Sequence, residues 1–333
     1  MTNLKPDNFL EIRGLKKYFE APRTSLFSRE IRQVHAVDGV DLTLQRSEVI
    51  ALVGESGCGK STLGLLLMGL EEPTGGSIIF EGRDVTHLND RDRKSLRRKI
   101  QMIFQDPYES LNPTQTIAEI ITEPLTVHGV GNSAEDRRER VVKAMEDAGL
   151  KPADVYLQRY PHELSGGQRQ RVVIASALVL EPEILVADEP VSMLDVSIRA
   201  EVINLLAELR ISRQIAVIFI THDLGSVGFF ADRVAVMYLG RIVEIGAMLE
   251  ALENPKHPYT RALLSVIPVP NPRLRHDRII LQGETPNPVN IPSGCRFHPR
   301  CPIAVDSCKL SDPPMENFSE THQAACFLAT ADP

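Results

Sequence analysis

Gly54-Glu55-Ser56-Gly57-Cys58-Gly59-Lys60-Ser61-Thr62 is the stretch on which the fold turns. It fits the pattern G-x-x-x-x-G-K-[ST], in which glycines let successive backbone N–H groups turn inward onto phosphate oxygens. Lys60 has the reach to meet β- and γ-phosphates, and the Ser61 hydroxyl is placed to hold Mg²⁺. A helix opening at this point adds its positive dipole end. The flanks agree: Val49–Val53 predicts a buried strand before the loop, and Ser61–Gly69 predicts the helix after it. All nine residues of the loop, Gly54 to Thr62, are therefore candidates for binding a nucleoside triphosphate.

Working outward, Ile184–Ala187 is an apolar run that ends in Asp188 and Glu189. A strand there would carry Asp188 to its carboxyl end, where it can bind Mg²⁺ directly or through water, and leave Glu189 to polarise the attacking water. Ile215–Ile220 is a second such run, ending in Thr221-His222-Asp223, and Ile100–Phe104 is a third, followed by Gln105. Ala134–Ala148 has the charge pattern of an exposed helix. Ser165 is a natural N-cap for a helix to about residue 180, which Pro182 stops. Val234–Met237 and Arg241–Glu244 predict a hairpin turning at Leu239-Gly240. Alternation of this kind from about residue 9 to 250 is the mark of an α/β domain.

With Leu164-Ser165-Gly166-Gly167-Gln168-Arg169-Gln170, some 20 residues before the acidic strand, the sequence resembles the ABC-type ATPases. The resemblance implies an α/β P-loop NTPase cassette: a RecA-like core with an antiparallel β subdomain and an α-helical signature subdomain at about 106–180. It makes Gln105 the Q-loop glutamine, Asp195 the D-loop aspartate, and His222 the switch histidine. Magnesium would be held by Ser61, Gln105 and Asp188, and Tyr18, or the adjacent Phe19 as its alternative, would stack on adenine. Glu189 and His222 become the catalytic pair. Ser165, Gly166, Gly167 and Gln168 would act in trans, on the ATP of a partner in a head-to-tail dimer.

The composition narrows the role. No run approaches the roughly 18 apolar residues that span a bilayer, and Met1–Glu20 lacks the pattern of a secretory signal. The 44 acidic against 37 basic residues, a net charge of −7, argue against nucleic acid as a partner. The uneven part is the tail, which holds four of the five cysteines and most of the prolines beyond residue 250. Proline fixes φ and lacks a donor, so residues 255–333 are expected to form a small irregular extension with little core of its own, after an ATPase domain of residues 1–254. Cys295, Cys301, Cys308 and Cys326 stand at C-x5-C-x6-C-x17-C, a spacing that selects no metal by itself. Metal binding could supply folding free energy there. Zinc and reduced thiols stay open. His298 and His322 are expected at the surface, and Cys58 as a small filler in the loop.

His257-Pro258-Tyr259-Thr260-Arg261-Ala262-Leu263-Leu264, Gly283-Glu284-Thr285-Pro286 and Pro292-Ser293-Gly294-Cys295-Arg296-Phe297-His298-Pro299-Arg300-Cys301-Pro302 resemble the C-terminal extension of the oligopeptide/dipeptide importer ATPases. The insertion at 20–34 and the loop sequence point to the second of the two paralogous ATPases, the F-type subunit. The resemblance implies ATP hydrolysis coupled to solute import, most of all of peptides, with nickel, glutathione or sugars as alternative solutes and a non-transport ABC ATPase as the rival reading. It also implies a paralogous ATPase or a second copy as dimer partner, two membrane permease subunits docking near Gln105–Glu123, and indirectly a solute-binding protein. The location would be peripheral, on the cytoplasmic face of the inner membrane. A 4Fe–4S cluster on the four tail cysteines completes the expectation.

Overall fold

The computed structural model describes residues 9–21, 32–267 and 278–329. The centre of the 20–34 insertion and the proline run at 268–272 lie outside the described residues. The first part of the chain forms β1 (Leu10–Glu20), β2 (Gln33–Leu44), β3 (Val49–Val53), α1 (Lys60–Leu67), β4 (Gly75–Phe80) and β5 (Arg83–Asp84). Then come α2 (Asp90–Lys99), β6 (Ile100–Ile103), α3 (Pro107–Ser110), α4 (Ile117–His128), α5 (Ala134–Asp147) and α6 (Gly166–Leu178). The chain returns through β7 (Ile184–Asp188), α7 (Val196–Arg213), β8 (Ala216–Thr221), β9 (Arg233–Tyr238) and β10 (Arg241–Ala247). It closes with α8 (Met248–Glu253), α9 (Pro258–Ser265), α10 (Ser307–Leu310), β11 (Glu316–Asn317) and β12 (Gln323–Ala324).

Two sheets result. The larger has the order β11-β12-β10-β9-β3-β8-β7-β6, and the smaller the order β2-β1-β4-β5. Within the larger sheet β9, β3, β8, β7 and β6 run parallel. The strands β3, β7 and β8 are buried at every position, which is why they read as unbroken apolar runs rather than as alternation. The smaller sheet is antiparallel throughout. The helices α4, α5 and α6 pack on one another as a separate layer. Their inner faces, including Ile121, Leu125, Val141, Met145 and Val172, join the core cluster that lines one side of the parallel strands. Side-chain caps fix where these helices begin: Thr116 and Glu119 exchange bonds at α4, and Ser133 accepts from Asp136 N–H at α5.

The tail departs from the sequence expectation. It has little regular structure, but it shares the main core instead of lacking one. Tyr259 and Phe297 are fully buried against Tyr238, with ring centroids 4.8 and 5.3 Å from it. The short β12 extends the large sheet by pairing with β10, Ala324 opposite Glu244. Beside this pair Glu244, completely buried, accepts the N–H groups of Lys256 at 2.7 Å and His257 at 2.8 Å, and meets His322 Nε2 at 2.7 Å. His322 is thus buried at the join, not on the surface. Periodicity could not show this, because a few anchoring side chains at widely separated positions carry the packing.

Candidate functional site

The loop between β3 and α1 is glycine-bound for steric reasons. A Cβ on Gly59, at φ 108°, would lie 2.0 Å from the Ala36 carbonyl oxygen, and one on Gly54 would lie 2.2 Å from that of Met237. Only bare backbone fits between β2 and β9 here. Lys60 is buried and donates to the carbonyls of Gly54 at 2.7 Å and Glu55 at 2.9 Å. Its ammonium is therefore held across the mouth of its own loop. The loop opens into a cleft of about 800 Å³, also lined by Phe19, Ala36, Gln105, Glu189 and His222.

The end of β7 delivers both acids, and its parallel neighbour β8 delivers His222. Asp188 ends β7 with its side chain bonded to Ser61, and its Oδ1 is buried without a hydrogen-bond partner. Burial raises its pKa above the ordinary aspartate range; the Ser61 bond opposes this and the Glu189 charge adds to it. A buried carboxylate oxygen lacking a donor, beside a hydroxyl and a phosphate loop, suits a divalent cation such as Mg²⁺. Glu189 has φ 44°, a left-handed backbone that is strained for a residue with a side chain. Its N–H donates to the Ile220 carbonyl at 2.9 Å. Gln105 Nε2 donates to Glu189 Oε2 at 3.2 Å, and His222 Nδ1 stands 3.2 Å from Glu189 Oε1. Gln105 and His222, from beyond the ends of β6 and β8, thus converge on the Glu189 carboxylate beyond the end of β7.

Some of the expected residues are placed elsewhere. The phenol of Tyr18 bonds Asp38 and its ring lies against His35 at 4.3 Å, away from the cleft. A register irregularity between Lys17 and Tyr18 turns the strand, so Phe19 lines the cleft in its place. Cys58 belongs to the loop, but its side chain is buried in the core beneath it and does not face the cleft. The cleft also takes tail residues that no motif placed there. Leu263 and Pro288 of the tail line it, and the Tyr259 hydroxyl accepts the Glu55 N–H at 2.8 Å. These contacts join residues some 200 positions apart, and the sequence carries no local signal for them.

Comparison with known proteins agrees with this geometry. The ABC transporter family pattern matches residues 37–192. The oligopeptide transport ATP-binding protein AppF of Bacillus subtilis is 48% identical over 331 residues, 98% of this chain and 99% of AppF. The chain belongs to the ABC transporter family. A second pattern, the C-terminal region of oligopeptide/dipeptide transporters, matches residues 243–308 of this ABC protein. The dipeptide transport ATP-binding protein DppF of Haemophilus influenzae is 49% identical over 98% of the chain and 99% of its own length. Among solved structures, the ATP-binding cassette MJ0796, a dimer bound to ADP and phosphate, superposes with a TM-score of 0.63 at 28% identity, covering 72% of this chain and 98% of that one. The cassette is an ATPase of the ABC type, with the F-type resemblance matched by both peptide-transporter relatives.

In this ABC cassette the signature residues stand apart from the chain's own phosphate loop. Ser165 is exposed and caps α6, its Oγ accepting from Gln168 N–H while Gln168 Oε1 accepts from Ser165 N–H at 3.0 Å. Gly166 passes the Tyr108 hydroxyl, and a Cβ on Gly167 would press on Ile198 at 2.8 Å. Asp195 is exposed at the start of α7. None of them lines the cleft. No helix among the described residues is long and apolar enough to cross a membrane.

The four tail cysteines are free of disulfides. Every pair among them interacts electrostatically, so they share one neighbourhood. Burial pushes the Cys295 thiol up to about 11, and raises Cys301 and Cys326 as well. Backbone N–H groups oppose that rise: Phe297 donates to Cys295, Ile303 to Cys301, and Leu328 and Ala329 to Cys326. Among the described residues no group of three or more His, Cys, Asp or Glu is set closely enough to hold a single metal ion.

Proposed function

We propose that this chain binds and hydrolyses ATP to power a bacterial importer of di- and oligopeptides. The observation that carries the chemistry is Glu189, held between Gln105 and His222 at the edge of the phosphate-loop cleft. In the proposed reaction a water oxygen attacks the γ-phosphorus as the bond to the β–γ bridging oxygen breaks, giving ADP and phosphate. Glu189 takes the water proton. Lys60 and the loop N–H groups spread the charge on the departing oxygens. His222 keeps the γ-phosphate and Glu189 in register, and Phe19 offers its ring to the base. Ser61, Asp188 and Gln105 would hold Mg²⁺, which supplies positive charge to the β- and γ-phosphates.

The placement of Ser165, Gly166, Gly167 and Gln168 outside the chain's own cleft supports action on a partner's ATP, with Asp195 at the same dimer face. That partner is a paralogous ATPase or a second copy. Peptides as the solute rest on the likeness to AppF, an oligopeptide transport protein, and DppF, a dipeptide transport protein. With cassette residues 1–254 and extension 255–333 forming one peripheral subunit on the inner membrane's cytoplasmic face, the permeases would dock near Gln105–Glu123. Exposed Phe104 and Tyr108 support that position.

Cys295, Cys301, Cys308 and Cys326 would hold a 4Fe–4S cluster, whose iron–thiolate bonds would staple the tail. Their shared neighbourhood and the N–H groups donated to three of the sulfurs support this. A cluster spreads its four sulfurs over four irons, whereas zinc draws them all to about 2.3 Å from one ion. Iron and acid-labile sulfide assays on anaerobically purified protein test it, and zinc or no metal overturns it.

Glu189→Gln tests the hydrolytic reading. The variant should bind ATP, lose turnover by at least about 100-fold, and accumulate as a closed dimer in size-exclusion chromatography with ATP. Near-normal steady-state ATPase activity in this variant rules the assignment out. Peptide uptake by vesicles carrying the permeases and this chain tests the solute.

A further inference from the structure

The phosphate loop contains a carboxylate, Glu55, immediately after its first glycine. A negative side chain there opposes the binding of a triphosphate. Lys60 offsets it only through space, because its ammonium is bonded to the carbonyl oxygens of Gly54 and Glu55 and not to the carboxylate. The charge bonded directly to the carboxylate comes from the tail. Arg300 Nη1 donates to Glu55 Oε2 at 2.7 Å and Nη2 donates to Glu55 Oε1 at 3.1 Å, a two-pronged fork of the strongest charge-assisted kind. Arg300 also donates to Thr285 Oγ1 at 3.2 Å, and that hydroxyl in turn bonds Glu55. The pair is partly shielded from water, with side-chain exposures of 9% for Arg300 and 27% for Glu55.

From this we infer that Arg300 is a positioning residue of the ATP site, neutralising Glu55 so that the loop can accept a triphosphate. The surroundings hold Arg300 to that task. Its N–H donates to the Phe297 carbonyl at 3.0 Å, and the Phe297 ring is packed between Tyr238 and Tyr259. Tyr259 itself accepts the Glu55 N–H, so the same tail cluster fixes both the backbone and the side chain of Glu55. The phosphate loop of this chain is complete only with its C-terminal extension folded against it.

The inference rests on ATP binding at the Lys60 loop, and it makes a prediction about sign that a merely structural contact does not. Full-length protein is titrated with a fluorescent ATP analogue and Mg²⁺, and melting is followed in parallel. Arg300→Gln should weaken binding about tenfold by leaving Glu55 uncompensated. Glu55→Gln should bind as tightly as wild type or more tightly, because Arg300 then adds positive charge. The double variant should return to within about twofold of wild type, and Arg300→Lys should fall between. If Arg300→Gln and Glu55→Gln weaken binding alike, or if Arg300→Gln binds normally, the inference fails. Lys60→Ala separates the two levels. Loss of binding in Lys60→Ala with normal binding in Arg300→Gln sinks the role of Arg300 alone, whereas no binding by wild type overturns the ATP site and this inference together.

Discussion

His222 and Glu189 face each other at 3.2 Å from the ends of two adjacent parallel strands, although 33 residues separate them in the chain. The contact is a product of β-sheet register: Asp188 pairs with Ile220, so the residues just beyond each strand end come side by side. His222 is more than half exposed and Glu189 mostly buried, so the histidine is the partner able to meet an incoming phosphate.

The contact predicts a specific kinetic loss. His222→Ala should lower kcat by about 100-fold or more while leaving the affinity for ATP within a few fold. Steady-state ATPase assays over a range of ATP concentrations check this. A change confined to KM would mean that His222 serves binding only.

Asp188 predicts opposite effects on stability and activity. Its folded-state pKa is raised, chiefly by burial, so the folded, nucleotide-free chain holds that proton more tightly than the unfolded chain. Stability must then fall as pH rises through the window above the ordinary aspartate value of about 3.9. Asp188→Asn removes this cost. The variant should melt at a higher temperature than wild type near neutral pH, with the difference fading toward pH 4, and should have no Mg²⁺-dependent ATPase activity. Melting curves with and without Mg²⁺-ATP provide the measurement.

Arg296 anchors the tail from the other side. It is buried, and its guanidinium bonds the Asp38 carboxylate and the Leu239 carbonyl. Burial alone would raise the Asp38 pKa, but the Tyr18 phenol and Arg296 outweigh it and bring it down to about 2. A lowered carboxylate pKa gives stability that is present above about pH 4 and is lost as pH falls toward 2. Arg296→Ala leaves that buried carboxylate with the Tyr18 phenol but without its bonded cation, and should cost up to about 3–5 kcal/mol. Urea unfolding at neutral pH measures it, and the penalty should shrink at acid pH.

Ser165 separates a structural role from a functional one. As an N-cap its hydroxyl is worth about 1 kcal/mol to α6. Ser165→Ala should therefore melt only slightly below wild type. If Ser165 also meets a partner's ATP, ATPase activity should fall by more than about tenfold, far beyond what the lost cap explains. Activity that stays near wild type in this variant would confine Ser165 to capping.

The strands that hold the phosphate loop and the acids were legible because the central sheet is parallel and covered on both faces. Burial on both sides demands unbroken apolar runs, and β3, β7 and β8 match theirs to within a residue or two. The hairpin of β9 and β10 was equally plain from Leu239-Gly240, where both residues take positive φ. The first sheet was harder. The register of β1 slips at three places, the last between Lys17 and Tyr18, where Phe19 takes the cleft position instead of Tyr18, and period-2 reasoning has no means of locating such a slip.

The local chemistry is written in short stretches of the chain: a glycine loop with Lys60 and Ser61, a strand running into Asp188 and Glu189, and His222 just past the end of another. Each is a property of a few consecutive residues, which backbone sterics and strand burial tie to one conformation. The role of the tail is set by its folded contacts. Arg300 reaches Glu55 across 245 positions, and Arg296 reaches Asp38 across 258. Such contacts depend on two surfaces meeting after the sheet has formed, and neither periodicity nor spacing encodes that meeting. A proline-rich segment that reads as loose becomes, once Tyr259 and Phe297 are buried beside Tyr238, a fixed wall of the phosphate site.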